Sequence, residues 1–194
     1  MPRQVDHEVR RRQMTDAVCR ITAKGGLTAA TFREVAAEAG VSVRLVQYYF
    51  GSKDALLLAT QQHVAERATA RLTALINSVD PPQVRLRKIL RSFIPTDDES
   101  RENMLMFVAL HTAALVDPTL ARREARDVPD ALHRTVKTLL VDAGLDRQAD
   151  AENEAAILVS VVPSLAQVVL DGSMTAKRAF AIIDYAIAKA LHRR

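Results

Sequence analysis

The sequence predicts an all-α protein: an N-terminal three-helix helix-turn-helix domain, then a C-terminal helical bundle, about nine helices together. Three observations carry this. Ala, Leu, Val, Arg and Glu dominate the 194 residues, against only 6 Gly and 7 Pro, a composition that favours helices. Apolar residues recur at helical spacing in segment after segment. No strand-like alternation, repeat or low-complexity stretch stands out. With 48% of residues apolar, the chain can bury a sizeable core.

Residues 1–5 read as a loose arm and residues 6–23 as a first helix, with Met14, Ala17, Val18 and Ile21 on its apolar face. Lys24 suits its C-terminal end, and Gly25-Gly26 closes it. Leu27 plugs a small core shared with Phe32, Val35, Val46 and Phe50. So few apolar residues make a marginal unit, which should lean on the later helices for burial.

The stretch TFREVAAEAGVSVRLVQYYFGSK, residues 31–53, organises the rest. Thr31 is a good N-cap, with Glu34 at the capping-box position. Phe32, Val35, Ala36 and Ala39 repeat at helical spacing, and Gly40 ends that helix where a left-handed residue is cheapest without a Cβ. Ser42 caps a third helix that runs roughly to Tyr49. Ala36 is small enough for close approach, Gly40 permits a tight turn, and Val46 can pack back on the preceding helix. Those requirements are the ones a DNA-binding helix-turn-helix sets. A structural hairpin would have no need of Arg44, Gln47 and Tyr48 together.

Gly51 breaks the third helix, and Ser52 caps a fourth over residues 53–76, with Leu56, Leu57, Ala59, Val64, Ala68, Leu72 and Leu75 as a stripe. It begins beside the helix-turn-helix and ends well beyond it, as a lever would. Asp80-Pro81-Pro82 stops it, and a fifth helix spans residues 82–93. The sixth, residues 101–116, comes after Asp97-Asp98-Glu99 and is apolar on nearly all sides, which predicts a buried helix. Asp117 and Pro118 suit the start of a seventh, which Pro129 should kink or split before Ala143-Gly144.

The eighth and ninth span residues 149–170 and 175–191, separated by Gly172. Ile157, Leu158, Val159, Val161, Val162, Leu165, Val168 and Val169 cover over half the eighth. Phe180, Ile183, Ile187 and Leu191 form one row of the ninth, with Ala179, Ile182, Ala186 and Ala190 beside it. Both carry more apolar surface than one stripe requires. A homodimer built on a four-helix interface of these last two helices would cover it.

The net charge of +4 is modest, but Arg3, Arg10, Arg11 and Arg12 cluster ahead of the helix-turn-helix, where they can meet phosphates or a minor groove. The single cysteine, Cys19, forms no intrachain disulfide, fits a reducing cytoplasm and reads as an inert core thiol. No apolar run comes after the N-terminal charges, so no signal peptide is expected. Residues 155–170 come nearest to a membrane span but are interrupted by Pro163 and Gln167, so no membrane contact is expected. His7, His63, His111, His133 and His192 are scattered without metal-ligand spacing, and no Gly-rich phosphate loop succeeds a strand. An enzyme, a metal site and a cofactor are therefore not expected. A DNA-binding protein without ligand control and a protein-interaction module remain as alternatives.

Residues 31–53 resemble the N-terminal domain of TetR-type transcriptional regulators, through Thr31, Ala36, Gly40, Val41, Ser42, Tyr48, Phe50, Lys53 and the adjoining Asp54-Ala55-Leu56-Leu57. The wording QYYFGSK is similar to the betaine-repressor-like branch. The rest of the chain agrees in length and helix pattern. The resemblance implies a dimeric regulator, usually a repressor, that releases a palindromic operator when a small effector binds its C-terminal domain. Residues 1–51 would be the DNA-binding domain and 52–194 the ligand-binding and dimerisation domain. Arg44 stands where such proteins often have a small residue and Gln47 where they often have an aromatic, so other members' base preferences do not carry over.

In such an arrangement the third helix enters the major groove of double-stranded DNA. Arg44 is placed for a guanine O6/N7 pair, Val43 for a thymine methyl, and Gln47 for an adenine edge or the interior. Tyr48 and Tyr49 suit phosphates or sugars, one of them being a core alternative. Thr31, Ser42 and Lys53 are phosphate donors. The resemblance puts an effector pocket among helices four to eight. Its candidate walls are Phe93, Met104, Phe107, His111, Leu115, Val136 and Leu165, and its polar points His63, His111, Thr112, Ser164 and Gln167. A mostly apolar cavity with few polar anchors suits an apolar or amphipathic molecule.

Overall fold

The computed structural model describes residues 2–116, 124–145 and 148–192. Its helices are α1 (Pro2–Ala29), α2 (Phe32–Ala39), α3 (Val43–Phe50), α4 (Lys53–Ile76), α5 (Pro82–Arg91), α6 (Asp98–Val116), α7 (Glu124–Asp142), α8 (Gln148–Leu170) and α9 (Ala176–Leu191). No strand occurs among the described residues. Met1–Ala68 with Arg101–Ala121 forms one compact unit, and Thr69–Ser100 with Arg122–Arg194 a second.

In the first unit, α1 starts earlier than expected. Residues 2–5 are helical rather than a loose arm, because Pro2 at the first position forfeits no helical hydrogen bond. The far end also differs. The helix runs past residue 23 to the expected Gly25-Gly26 break, where Gly26 has φ 74° and ψ 177°, and residues 27–29 add a short further turn. Met14, Ala17, Val18 and Cys19 of α1 meet Val35, Ala36 and Ala39 of α2, Val46 and Phe50 of α3, and Leu56 and Ala59 of α4. Leu27 and Phe32 pack partly buried against this core. Met106 of α6 joins it, so the three-helix head does draw on later helices for burial.

Polar contacts fix the head's angles. Gln13 Nε2 donates to the Ala39 carbonyl at 3.1 Å, capping the end of α2, and Arg20 pairs with Glu38 at 2.6 Å. Asp16 accepts from the His63 ring at 2.9 Å and lies 3.4 Å from Arg67, tying α1 to α4. The His63 hydrogen bond, helped by Arg67 and Arg20, holds the Asp16 carboxyl below its ordinary range. A depressed carboxylate stabilises the fold above its unfolded pKa, about 3.9, and loses that contribution as pH falls through the folded value. Asp16→Asn should therefore lower the melting temperature at pH 7 and flatten its decline below about pH 4. Thermal melts of both proteins across that range check this, and parallel acid limbs would count against it.

Cys19 is 3% exposed, and burial pushes its thiol up to about 12. The native protein should resist iodoacetamide at about pH 8 and react fully once unfolded, read by mass spectrometry.

In the second unit, α5, α7, α8 and α9 pack on one another. Leu86, Ile89 and Leu90 of α5, Val136 and Leu140 of α7, Leu158 and Val162 of α8, and Ile183 and Ile187 of α9 are buried. Arg91 bonds Asp184 and lies over the Phe180 ring at 4.9 Å, while Arg87 reaches Asp184 at 3.1 Å. His133 and Lys137 both bond Glu152, joining α7 to α8.

Other expectations need adjustment. α5 ends at Arg91, with Ser92 as its C-cap. α6 begins at Asp98, because Asp97 Oδ1 accepts from the Ser100 amide at 2.7 Å and Ser100 Oγ accepts back from the Asp97 amide at 3.1 Å. α7 passes through Pro129 without splitting, and its expected start at Asp117-Pro118 lies outside the described residues. α6 is not buried on all sides: Phe107 is 52% and Leu115 74% exposed, and Met106 alone among its described side chains is fully buried. Apolar character all round a helix does not guarantee neighbours all round it. Finally, Asp150–Leu170 is long and apolar enough by length and composition to cross a membrane, where residues 155–170 were expected to be too short, because the qualifying stretch also takes in the less apolar residues 150–154. Within the protein 39% of that window is buried.

Candidate nucleic-acid interface

The α2–α3 corner is built by local chemistry. Thr31 Oγ1 accepts from the Glu34 amide at 3.2 Å, setting the start of α2. At its end Gly40 adopts φ 65° and ψ 35°; its amide donates to the Ala37 carbonyl and that of Val41 to the Ala36 carbonyl. That pair of bonds is a Schellman motif, which only a residue tolerant of left-handed backbone closes without strain. Ser42 Oγ then accepts from the Leu45 amide at 3.1 Å and starts α3. Ala36 and Val46 are buried at the crossing of the two helices.

Burying Val46 and Phe50 turns the opposite face of α3 outward. Val43 is 39% and Tyr48 76% exposed, and Arg44 and Gln47 are exposed with them. Gln47 thus faces solvent rather than the interior. Tyr49 is half-buried: its ring packs against His7, tilted by 35°, at 4.3 Å between centroids and meets Tyr48 edge-on at 5.7 Å. The His7 contact, which no spacing in the sequence signals, lays α1 along α3. Thr31 and Ser42 are exposed, and each cap bond uses the oxygen as acceptor, leaving the O–H to donate. Lys53 Nζ reaches the Thr28 carbonyl at 3.4 Å from an exposed position. One solvent-facing helix therefore carries a cation, an amide, a phenol and a methyl-bearing side chain, flanked by hydroxyl and ammonium donors. This is the equipment for reading a groove and holding phosphates.

The arginine cluster is partly occupied within the chain. Arg12 pairs with Glu8 at 3.2 Å, Arg10 bonds Gln13, and Arg11 lies over the Phe50 ring at 5.7 Å. The Arg3 side chain lies outside the described residues.

The candidate effector residues fall in various places. His63 is engaged by Asp16. His111 is exposed, not buried as expected, and stacks on Phe107 at 5.9 Å. Thr112 is exposed, Leu115 is exposed, and Met104 is half-buried. In the second unit Val136 and Leu165 are buried, Phe93 is half-buried, and Ser164 and Gln167 are exposed. A cavity of about 290 Å³ lies in that unit, lined by Thr69, Leu72, Thr73, Ile76, Ile89, Ala131, Leu132 and Thr135. None of the candidate residues lines it. The available signal was the Thr69/Thr73 pair, one turn apart beside Leu72 and Ile76.

Residues 15–60 match a family model described as bacterial regulatory proteins, tetR family, and residues 82–192 match that of the BetI-type transcriptional repressor C-terminal domain. The chain is 31% identical over 174 residues to the HTH-type transcriptional regulator PksA of Bacillus subtilis, covering 86% of this chain and 81% of that one. The chain belongs to the TetR family. It is a transcriptional regulator. It is also 36% identical over 125 residues to the regulator BetI of Burkholderia thailandensis, a match that spans 63% of each. Among solved structures, a transcriptional regulator from Rhodococcus sp. RHA1 superposes with a TM-score of 0.81 at 24% identity, over 93% of this chain and 95% of that one. Another from Saccharomonospora viridis, solved in complex with choline, gives 0.82 at 22% identity, over 92% and 95%. Those two likenesses concern the TetR fold. The family's helix-turn-helix is the α2–α3 corner of this chain.

Proposed function

We propose that this regulator is a repressor that binds a palindromic operator as a homodimer and releases it when a small apolar or amphipathic effector binds. The observation that carries the DNA reading is the outward face of α3, with Val43, Arg44, Gln47 and Tyr48 exposed above a buried Val46. Arg44 addresses a guanine, Gln47 an adenine edge and Val43 a thymine methyl. Tyr48, Tyr49, Thr31, Ser42 and Lys53 hold the backbone. Residues 1–51 are the reading domain and 52–194 the control and pairing domain.

Dimerisation through α8 and α9 is supported by an exposed face of small and apolar residues. On α8 it comprises Ala156, Ile157, Ser160 and Ser164, and on α9 Ala181, Tyr185 and Ala188. Two heads then meet half-sites about one helical turn, or a multiple of it, apart. Effector control is supported by the 290 Å³ cavity beside α4 and by a fold-mate solved with a small molecule. α4 has 24 residues, so it is about 36 Å long, and a few degrees of tilt displace its end by ångströms. The effector must favour the released state, or nothing shifts.

Selection of bound duplexes from random DNA tests this reading. A two-fold symmetric consensus, bound with an affinity that falls steeply with salt, is expected. Failure to enrich any sequence would refute it.

A further inference from the structure

We propose that His7 is a phosphate ligand at the edge of the DNA interface, and that its protonation makes the duplex bind more tightly as pH falls. This rests on the proposed entry of α3 into DNA and adds a regulated contact to that site.

α1 meets α3 through two consecutive aromatic residues. The Tyr49 ring packs against the His7 imidazole at 4.3 Å between centroids, and the Arg11 guanidinium lies over the Phe50 ring at 5.7 Å. His7 and Arg11 are four residues apart, so they share one face of α1. Their partners differ in depth. Phe50 is 8% exposed and belongs to the core of the head. Tyr49 is half-buried, and Tyr48 beside it and His7 across from it are exposed. The His7–Tyr49 pair therefore forms the rim where the head passes from core to solvent. The proposed role of Tyr49 is to hold the sugar-phosphate backbone, and an imidazole packed on its ring reaches the same stretch of strand. The two rings are tilted by 35°, so the imidazole turns mainly its face to Tyr49. Its two nitrogens lie on the edge, and both donate when the ring is protonated.

The other histidines are engaged differently. His63 bonds Asp16, His133 bonds Glu152, His192 bonds the Ala188 carbonyl, and His111 stacks on Phe107. Among the charges around His7 on α1, Arg10 bonds Gln13, Arg11 lies over Phe50, and Glu8 is held by Arg12 at 3.2 Å. Arg3 and Asp6 precede it, with side chains outside the described residues. α3 brings Arg44, Tyr48 and Tyr49 to the interface and has no carboxylate. An imidazole gains its charge between about pH 8 and pH 5. A phosphate beside it stabilises the charged form, so binding takes up a proton. Affinity is then highest where the ring is protonated and falls as pH rises.

The test uses the full chain with its selected duplex and a scrambled one, by fluorescence anisotropy at about pH 6 and about pH 8. The unaltered protein is expected to bind both duplexes about three- to tenfold more tightly at the lower pH. His7→Phe keeps a ring on Tyr49 and removes the nitrogens. It should bind no better at the lower pH than at the higher, with a salt dependence there reduced by about one phosphate contact. His7→Arg carries a permanent charge and should hold the lower-pH affinity at both values. Equal melting temperatures of the three proteins keep folding out of the comparison. A pH dependence that survives in His7→Phe would place the proton elsewhere and overturn the proposal, as would equal affinity of the unaltered protein at both pH values. A loss confined to the selected duplex would make His7 a base reader and overturn the phosphate contact. If Arg44→Ala weakens the duplex while both His7 variants bind as the unaltered protein does, the α3 reading stands and this inference falls. If no duplex is selected, both fall.

Discussion

Arg44→Ala is expected to weaken binding to the selected duplex by roughly 1–3 kcal/mol, or about 5- to 150-fold, and to relax preference at one base position in each half-site. The side chain is exposed near the start of α3, and no intrachain partner competes for it among the described residues. Lys53→Ala makes the matching control. In the proposed role the Lys53 ammonium, at the first turn of α4, addresses phosphates, so its loss should weaken cognate and scrambled duplexes about equally. Fluorescence anisotropy against both duplexes separates the two behaviours. An Arg44→Ala loss of equal size on both sequences would assign that side chain to the backbone instead of a base.

Val46→Asp is expected to abolish the folded head. Val46 is 0% exposed, in a core cluster that includes Val35, Ala36, Ala39 and Phe50. An unpaired carboxylate there loses hydration without compensation and removes apolar packing, an effect above about 4 kcal/mol. That is comparable with the whole stability of a small domain. Circular dichroism and DNA binding should fail together. Val46→Ile provides the comparison, and retained folding with Val46→Asp would mean that the α2–α3 crossing is not where the head is held.

Legibility in the sequence divides along physical lines. The α2–α3 corner was legible because its determinants are local: the Thr31 and Ser42 caps, the left-handed Gly40 and the helical spacing of Val35, Ala36 and Val46 lie within one short stretch. The exposed face of α3 came from the same spacing, since burying Val46 and Phe50 leaves Arg44, Gln47 and Tyr48 outside. Less visible were features decided by distant partners. The Arg10–Arg12 run looked like free charge, yet its partners include Glu8 and the Phe50 ring. His63 looked like a polar anchor for a ligand, yet Asp16, 47 residues earlier, holds it. α6 looked buried because composition records how apolar a helix is, not how many neighbours it has; Phe107 and His111 show the difference. The cavity depends on where α4, α5 and α7 leave space, which spacing along any one of them does not encode.

Everything proposed for the regulator depends on α3 entering DNA with its Val43–Tyr48 face foremost. A crystal structure of the full chain on its selected duplex measures this directly. The account predicts α3 of each of two protomers in the major groove, Arg44 within hydrogen-bonding distance of a guanine, and Lys53 against a phosphate. A complex in which α3 points away from the duplex, with another surface making the base contacts, would contradict it.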